Sequence, residues 1–322
     1  MRLWRATSNI HRVNDAQTVL GVEIGGTKLQ IVAGDGSGTI RHRWRATADR
    51  AGGASAISRQ IVAGIHELTR HMPAHAIGVG FGGPVDHSAG RIRVSHQVDG
   101  WADVDLRTFL AEQTKLPVRI ENDSNLAALA EARRGAGAGL MRVFYFNLGS
   151  GVGGGFVTDG KLYHGRPPGE AEFGHLRLER SGTTVESRCS GWAVDAEIRK
   201  LKTTAPESAL ERMIGDKPGG ESSHLAAALS QKDASAKAIL QRLADDLAFA
   251  LSHVVHLLNP DVIVLGGGLA NIGEPLRAAV AQSLEHSIMT VMRPAPPVRL
   301  AKLGEDAVPT GALLLARTIE LN

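Results

Sequence analysis

The sequence holds a single cysteine, Cys189, in 322 residues. A lone thiol makes neither an intramolecular disulfide nor a thiolate zinc cage, so a reducing compartment, the cytoplasm, is expected. Charge of one sign is equally scarce: 36 basic residues stand against 33 acidic ones, a formal net charge of +3 spread along the chain. So small an excess marks no polyanion-binding patch, and no nucleic-acid partner is expected. No continuous apolar stretch follows Arg2, Arg5 and Arg12 in the first 17 residues, which excludes a secretory signal or a membrane anchor there. No low-complexity linker interrupts the chain. What is present is an ordinary globular composition, 43% apolar and 21% charged, in a chain longer than one core usually serves. Two lobes with a cleft between them are the expectation.

Hydrophobic patterning places the elements. Residues 18 to 34 (TVLGVEIGGTKLQIVAG) read as two strands joined by Gly25, Gly26, Thr27 and Lys28, a hairpin completed to a meander by a strand near Ile40 to Ala46. A helix is expected over 54 to 71, a buried strand over 76 to 81 ending at Gly82, Gly83 and Pro84, and a short helix around Leu106 to Lys115. A strand at 118 to 121 then runs into Asn122 and Asp123, where a helix begins. The second half repeats the first hairpin: a strand at 142 to 148, a glycine turn over Gly149 to Gly155 and a returning strand over Phe156 to Thr158. A long helix over 235 to 258 closes at Asn259 and Pro260 before a strand at 261 to 265 and the run Gly266, Gly267, Gly268. Residues 203 to 224, rich in Gly, Ser, Pro and charge, read as a surface insertion.

Three glycine-rich turns thus follow strands, and such turns let backbone N–H groups approach a phosphate because no Cβ intervenes. The first is not a P-loop, since Thr27 precedes Lys28 and a strand follows; as a plain hairpin turn it would leave Lys28 idle. Gly78-x-Gly80-x-x-Gly83 and Gly149-x-Gly151-x-x-Gly154 fit the dinucleotide pattern, but Pro84 follows one and a strand the other, so neither offers the helix N-terminus that a pyrophosphate requires. The second also fits the protein-kinase glycine loop, without any HRD or DFG segment downstream.

Phosphoryl transfer asks for a hydroxyl held in line, a carboxylate to take its proton and charge neutralisation around the phosphates. Asp123, at a strand-to-helix junction between Asn122 and Asn125, is placed for the second task. Asp is also a frequent helix N-cap, and spacing alone does not separate the two readings. Residues 169 to 175 (GEAEFGH) gather Glu170, Glu172 and His175, the groups a polyhydroxylated substrate uses. A metal site is the weaker reading: His175 lacks a second ligand at the usual spacing, and His66, Glu67 and His71 set their histidines five apart. His253 and His256 read as structural.

In order along the chain, GVEIGGTK (21 to 28), GVGFGGPVD (78 to 86), ENDSNLAALAE (121 to 131), LGSGVGGG (148 to 155), EFGH (172 to 175), DVIVLGGG (261 to 268) and GEDAVPTGA (304 to 312) resemble the segments of the ROK family of bacterial sugar kinases and sugar-responsive repressors. The resemblance covers nearly the whole chain. It implies a two-lobed α/β actin-like ATPase (ribonuclease H-like, hexokinase-like) fold with a mixed sheet in each lobe and an interdomain cleft. The small lobe would take residues 1–122, with the C-terminal helix 308–322 packing back on it, and the large lobe residues 123–307. Asp123 would be the general base, with Asn122, Glu172, His175 and Glu186 holding sugar hydroxyls and Gly82 or Gly83 adding backbone contacts. ATP would lie between the lobes, its phosphates facing Gly25, Gly26, Thr27 and Lys28 on one side and Gly149, Ser150 and Gly151 on the other, with Gly267 and Gly268 bordering the adenosine. Mg²⁺ would bridge the phosphates and be held mostly through water, with Glu23 as the protein carboxylate.

Two departures qualify the resemblance. Many members carry Asp where this chain has Glu23, which moves the carboxylate by about 1.5 Å, although the fructokinase branch also has Glu there. The family's CxCGxxGC zinc segment is missing: residues 176 to 189 hold only Cys189, with Thr183 and Thr184 where cysteines would stand. No structural zinc is expected, and the sugar loop must be held by packing. The END form at 121 to 123 and Glu186 resemble the glucokinase and N-acetylhexosamine kinase branches more than the fructokinase branch, so glucose is the expected hexose. Polyphosphate in place of ATP, a catalytically silent sugar-binding regulator and a DNA-binding repressor are the competing readings; only 17 residues precede the first strand, too few for a winged helix-turn-helix. The family's tendency implies a homodimer.

Overall fold

Thr18–Ile24 (β1) and Lys28–Asp35 (β2) pair antiparallel across the glycine turn, and Ile40–Thr47 (β3) adds to β2 in the computed structural model, which describes residues 11–12, 17–70, 72–95, 97–167, 169 and 171–321. A helix, Gly53–Thr69 (α1), leads to Ile77–Phe81 (β4), and a second helix, Leu106–Thr114 (α2), to Val118–Asn122 (β5). Both β4 and β5 join in parallel on the other side of β1, giving a five-stranded mixed sheet in the order β3-β2-β1-β4-β5. Ile57, Ile61 and Ile65, at helical spacing on α1, bury that helix's apolar face in the core shared with Leu20, Val22, Ile31 and Val79. Each such side chain contributes about 1.5–3 kcal/mol of burial.

After the helix Asp123–Arg134 (α3), a second sheet follows the same plan. Arg142–Leu148 (β6) pairs antiparallel with Val152–Thr158 (β7), which pairs with the short Lys161–Leu162 (β8). Beyond two small helices, Val185–Cys189 (α4) and Gly191–Arg199 (α5), the long helix Ala234–Leu258 (α6) leads to Val262–Gly266 (β9), and Glu274–Ser287 (α7) leads to Val298–Leu300 (β10). Strands β9 and β10 lie parallel to β6 in the order β8-β7-β6-β9-β10, the order and strand sense of the first sheet. The repeat legible in the two hairpins therefore extends to both sheets. Leu243, Leu247, Leu251 and Val255, four apart on α6, bury its stripe beside Phe144, Phe146 and Ile263. Asn259, at φ 43°, ends the helix in the left-handed conformation that Asn tolerates.

The last helix, Ala307–Arg317 (α8), packs on β1 and β4 of the first sheet. Its approach explains two strand glycines: a Cβ on Gly21 would lie 2.8 Å from the Pro309 carbonyl, and one on Gly78 would collide with that of Ala312. By internal contacts the chain divides into two units. The first comprises the chain up to Ala130, the run Gly165–Gly169 and the chain from Glu305 onward; the second comprises Glu131–His164 and Glu170–Gly304. Among the described residues no helix is long and apolar enough to cross a membrane.

One expectation needs correction. The returning strand of the second hairpin starts at Val152 and not at Phe156, because Gly153, Gly154 and Gly155 pair with Asn147, Phe146 and Tyr145 as ladder residues. The glycine there serves packing, since a Cβ on Gly154 would lie 2.7 Å from the Ala171 carbonyl. Residues 203 to 224 lie mostly at the surface and are tied down at a few points: Leu210 is fully buried, Glu221 is buried and ion-paired with Arg199, and Asp195 accepts hydrogen bonds from Gly220 N (2.9 Å) and Ser222 N (2.7 Å).

Candidate active site

In the first unit, three chain segments converge on Asp123. Strand β5 delivers Asn122 and Asp123 to the start of α3, and Asn122 takes the capping duty: its Oδ1 accepts from Ser124 N (2.8 Å) and Asn125 N (3.2 Å), while its Nδ2 donates to Gly83 O (3.1 Å). Asp123 is thus the first helical residue and not the cap. Its Oδ1 accepts from Ser124 N at 2.7 Å, and its Oδ2 lies toward Gly82, where a Cβ would stand only 3.2 Å away. The turn Gly82-Gly83 that ends β4 is tied to the first hairpin by Gly82 N donating to Ile24 O at 3.1 Å. The hairpin turn is closed by Gly25 N donating to Lys28 O (2.9 Å), and Ala48 N donates to Thr27 O (3.0 Å). Gly25, Gly26 and Gly82 line a shallow crevice with Ser95, Gln97 and Trp101.

The electrostatics of this half follow from burial. Loss of water pushes the Asp123 carboxyl up to about 6, and the negative charge of Glu23 adds to that rise against the hydrogen bonds from Ser124. Glu23 is itself raised by burial, countered by a hydrogen bond from Gln30 and the charge of Lys28. A carboxylate poised near neutrality is suited to accept a proton at working pH. Lys28 Nζ lies 3.9 Å from Glu23 and 3.4 Å from Glu305, so its ammonium is held beside the turn by two carboxylates. Arg45 joins Glu305 at 3.3 Å.

In the second unit, the turn Gly149–Gly151 is closed by Gly149 N donating to Gly151 O (2.9 Å) and braced by Gly191 N donating to Gly149 O (2.7 Å). Ser150 is exposed at its tip. Glu186, on α4, accepts from Val152 N through Oε2 at 2.9 Å, and a Cβ on Gly151 would lie 2.6 Å from that oxygen. One oxygen of the residue expected to hold a sugar hydroxyl is therefore also a brace for the glycine turn. Glu172 and His175 are exposed, the first at the N-cap and the second at the end of a one-turn helix, Phe173–His175. The buried Phe173 ring anchors that turn between Phe144 (5.6 Å between centroids) and Phe146 (5.2 Å). Glu170 and His71 lie outside the described residues; Glu67 accepts from Trp44 Nε1 at 3.0 Å. His256 Nε2 accepts from Met289 N at 3.2 Å, and His253 packs on the Phe249 ring at 4.9 Å.

At the positions where the zinc segment would lie, Leu178 N donates to Thr183 O (2.8 Å), and Thr184 caps α4 through a reciprocal capping box with Ser187. Cys189 is fully buried, and its thiol is pushed up to about 12 by that burial, with the charge of Asp246 adding to it. Such a thiol stays protonated and unreactive. Farther along, a cavity of about 310 Å³ is lined by Gly268, Asn271, Ile272, Ser222, Ser223 and Ala226. Gly267, at φ 83° and where a Cβ would lie 2.5 Å from the Leu148 backbone, admits no side chain. Ser222, Ser223 and Asn271 were invisible as site residues in the sequence, because 49 positions separate Ser222 from Asn271 and the former sits in a polar Gly/Ser run.

The ROK family model matches residues 19–319. The glucokinase of Halalkalibacterium halodurans is 31% identical over 303 residues, covering 89% of this chain and 91% of that protein. The glucokinase of Thermotoga maritima is 30% identical, covering 91% and 95%. Among solved structures, a ROK family glucokinase from Streptomyces griseus in complex with glucose and AMPPNP superposes with a TM-score of 0.80 at 30% identity, covering 93% of this chain and 99% of that one. The α/β architecture, with a mixed sheet in each unit, is that of these actin-like kinase structures. The chain belongs to the ROK family.

Proposed function

We propose that the protein is an ATP-dependent hexose kinase, with glucose the preferred sugar and glucose 6-phosphate the product. The observation that carries this reading is Asp123: freed from capping by Asn122, it is raised to about 6 and sits beside the glycine turns of two strands. In this reading the sugar hydroxyl gives its proton to Asp123 as its oxygen attacks the γ-phosphorus. The bond from that phosphorus to the β,γ-bridging oxygen breaks, and ADP leaves with the electron pair. With the N–H groups of Gly25 and Gly149 closing their own turns, those of Gly26 and Thr27 and of Ser150 and Gly151 face phosphate oxygens, and the Lys28 ammonium adds positive charge. Asn122, Glu172, His175 and Glu186, with the backbone at Gly82 and Gly83, hold sugar hydroxyls. Because Asn122 spends its Oδ1 on the helix N-terminus, it serves the sugar as a donor, through its second amide hydrogen.

The cavity beside Gly268 supports a nucleoside-bearing donor over polyphosphate, since a polyphosphate chain has nothing to fill it. Glu23 fits a water-mediated Mg²⁺ partner: it is a half-buried carboxylate at the phosphate turn, an oxygen donor of the kind that hard cation takes, with the Lys28 ammonium 3.9 Å away and not in a close pair. The ion, when bound, supplies charge neutralisation on the phosphates. A cytoplasmic site of action and a homodimer complete the reading. It is tested by ADP release from ATP and Mg²⁺ across glucose, mannose, fructose, N-acetylglucosamine and N-acetylmannosamine, with Asp123→Asn alongside. Stimulation by one sugar, with kcat in the variant down by about 10²–10⁴ and KM little changed, is the expected result. If no sugar stimulates turnover with ATP or polyphosphate, the enzyme reading fails and a sugar-sensing regulator replaces it.

A further inference from the structure

A buried amide stands where the sequence calls for an apolar side chain. Gln30 lies in β2 between Leu29 and Ile31, and none of its surface is exposed. In the strand register it faces Glu23 directly, and its Nε2 donates to Glu23 Oε2. Its Oε1 accepts from Arg43 Nη1 at 3.0 Å, and the Nη2 of the same guanidinium pairs with Asp306. This chain has only one polarity. A guanidinium carries no acceptor, so Arg43 obliges the amide oxygen to face it, and the amide nitrogen is then left facing Glu23. Asp306 and Arg43 thus fix the orientation of Gln30, and Gln30 fixes one oxygen of Glu23. Lys28, 3.9 Å from the same oxygen and drawn to Glu305 at 3.4 Å, does not lock the carboxylate in a close pair.

We propose that Gln30 is a positioning residue for the phosphate-turn carboxylate, holding Glu23 in the orientation that serves the magnesium nucleotide, with Arg43 and Asp306 as its support. The proposal rests on the kinase reading and deepens it. An unpartnered amide in this apolar strand would be costly, so the residue is retained through its bonds and not through its packing. It also accounts for the longer acid: the extra methylene of Glu23, relative to Asp, carries the carboxylate to a cross-strand amide that can hold it.

The test is calorimetric titration of ADP, with and without Mg²⁺, into wild type, Gln30→Met and Arg43→Gln. Methionine keeps the length and removes both hydrogen bonds; Arg43→Gln leaves the buried position intact and releases the amide to rotate. Expected is a weakening of Mg·ADP by about 10-fold in Gln30→Met and about threefold in Arg43→Gln, with metal-free ADP affinity unchanged. The Mg²⁺ concentration for half-maximal turnover rises in parallel while the KM for sugar holds. If Gln30→Met fails to fold, Arg43→Gln decides alone. Equal Mg·ADP affinity in wild type and folded variants overturns the proposal, whatever happens to Tm, and so does a wild type that binds ADP equally with and without Mg²⁺. Absence of sugar-dependent turnover in a wild type that still discriminates Mg·ADP refutes the kinase reading and leaves the positioning role of Gln30 standing.

Discussion

The carboxylate of Asp123 occupies the space that a side chain on Gly82 would need, with the ideal Cβ position only 3.2 Å from Oδ2. The contact joins the end of one parallel strand, β4, to the first helical residue after its neighbour, β5, and makes the glycine a condition for the placement of the Asp123 carboxylate. Gly82→Ala is therefore expected to displace the carboxylate by a few tenths of an ångström. A loss of about 10-fold or more in kcat follows if Asp123 is the base, because misplacements of this order are amplified in the rate. Unchanged kcat in a variant with wild-type Tm would show that the geometry at Gly82 does not constrain the reaction.

The pH dependence follows from the same residue. With Asp123 raised to about 6, kcat/KM should rise with pH through a midpoint near that value and lose the step in Asp123→Asn, where only residual turnover remains. Stability runs the other way. The folded chain holds a proton on Asp123 that the unfolded chain, titrating near 3.8, has released, so this residue makes the fold less stable as pH climbs from about 4 to 6. Asp123→Asn should then melt above wild type at pH 8 and close to it at pH 4. Equal differences at both values would mean that burial does not shift the acid.

The cavity beside Gly268 yields a separate prediction, because its walls lie far in sequence from Asp123. Ala226→Leu places three further carbons against Ser222, Ser223 and Asn271. The KM for ATP is expected to rise about 10-fold while the KM for hexose changes by less than about twofold. A rise confined to the sugar would remove the adenosine from this cavity.

Legibility in the sequence divided along physical lines. Asp123 stood out because a strand, a polar pair and a helix start occur in one short window, and the repeated hairpin announced both sheets because strand pairing across a tight turn is local. The run Gly153 to Gly155 misled because glycine favours turns, whereas here it admits Ala171 and Phe173 against a paired strand. Residues 203 to 224 look soluble one at a time; Leu210 and Glu221 are buried only through partners brought in by the fold. Gln30 gave a signal, a polar residue inside an apolar strand, but its meaning needed Asp306, 263 residues from Arg43 in the chain and supplied by tertiary structure alone.

Glu131 carries the last prediction, and it concerns the fold. This glutamate is fully buried, and its two oxygens accept three backbone hydrogen bonds: Oε2 from Ala136 N at 2.7 Å, Oε1 from Lys302 N at 2.9 Å and Leu303 N at 2.8 Å. The carboxylate thereby holds the loop after α3 to the segment that follows β10, within the second unit. Glu131→Ala leaves three donors without their acceptor, that of Ala136 in a buried site, and each bond to a charged acceptor contributes about 1.5–3 kcal/mol, so a loss of about 3 kcal/mol or more is expected in urea unfolding. Glu131→Gln keeps one acceptor oxygen and turns an NH₂ group toward a backbone N–H, which predicts an intermediate loss. A variant Glu131→Ala within about 0.5 kcal/mol of wild type would mean that water replaces the carboxylate at all three donors, and that this acid is not a structural tie.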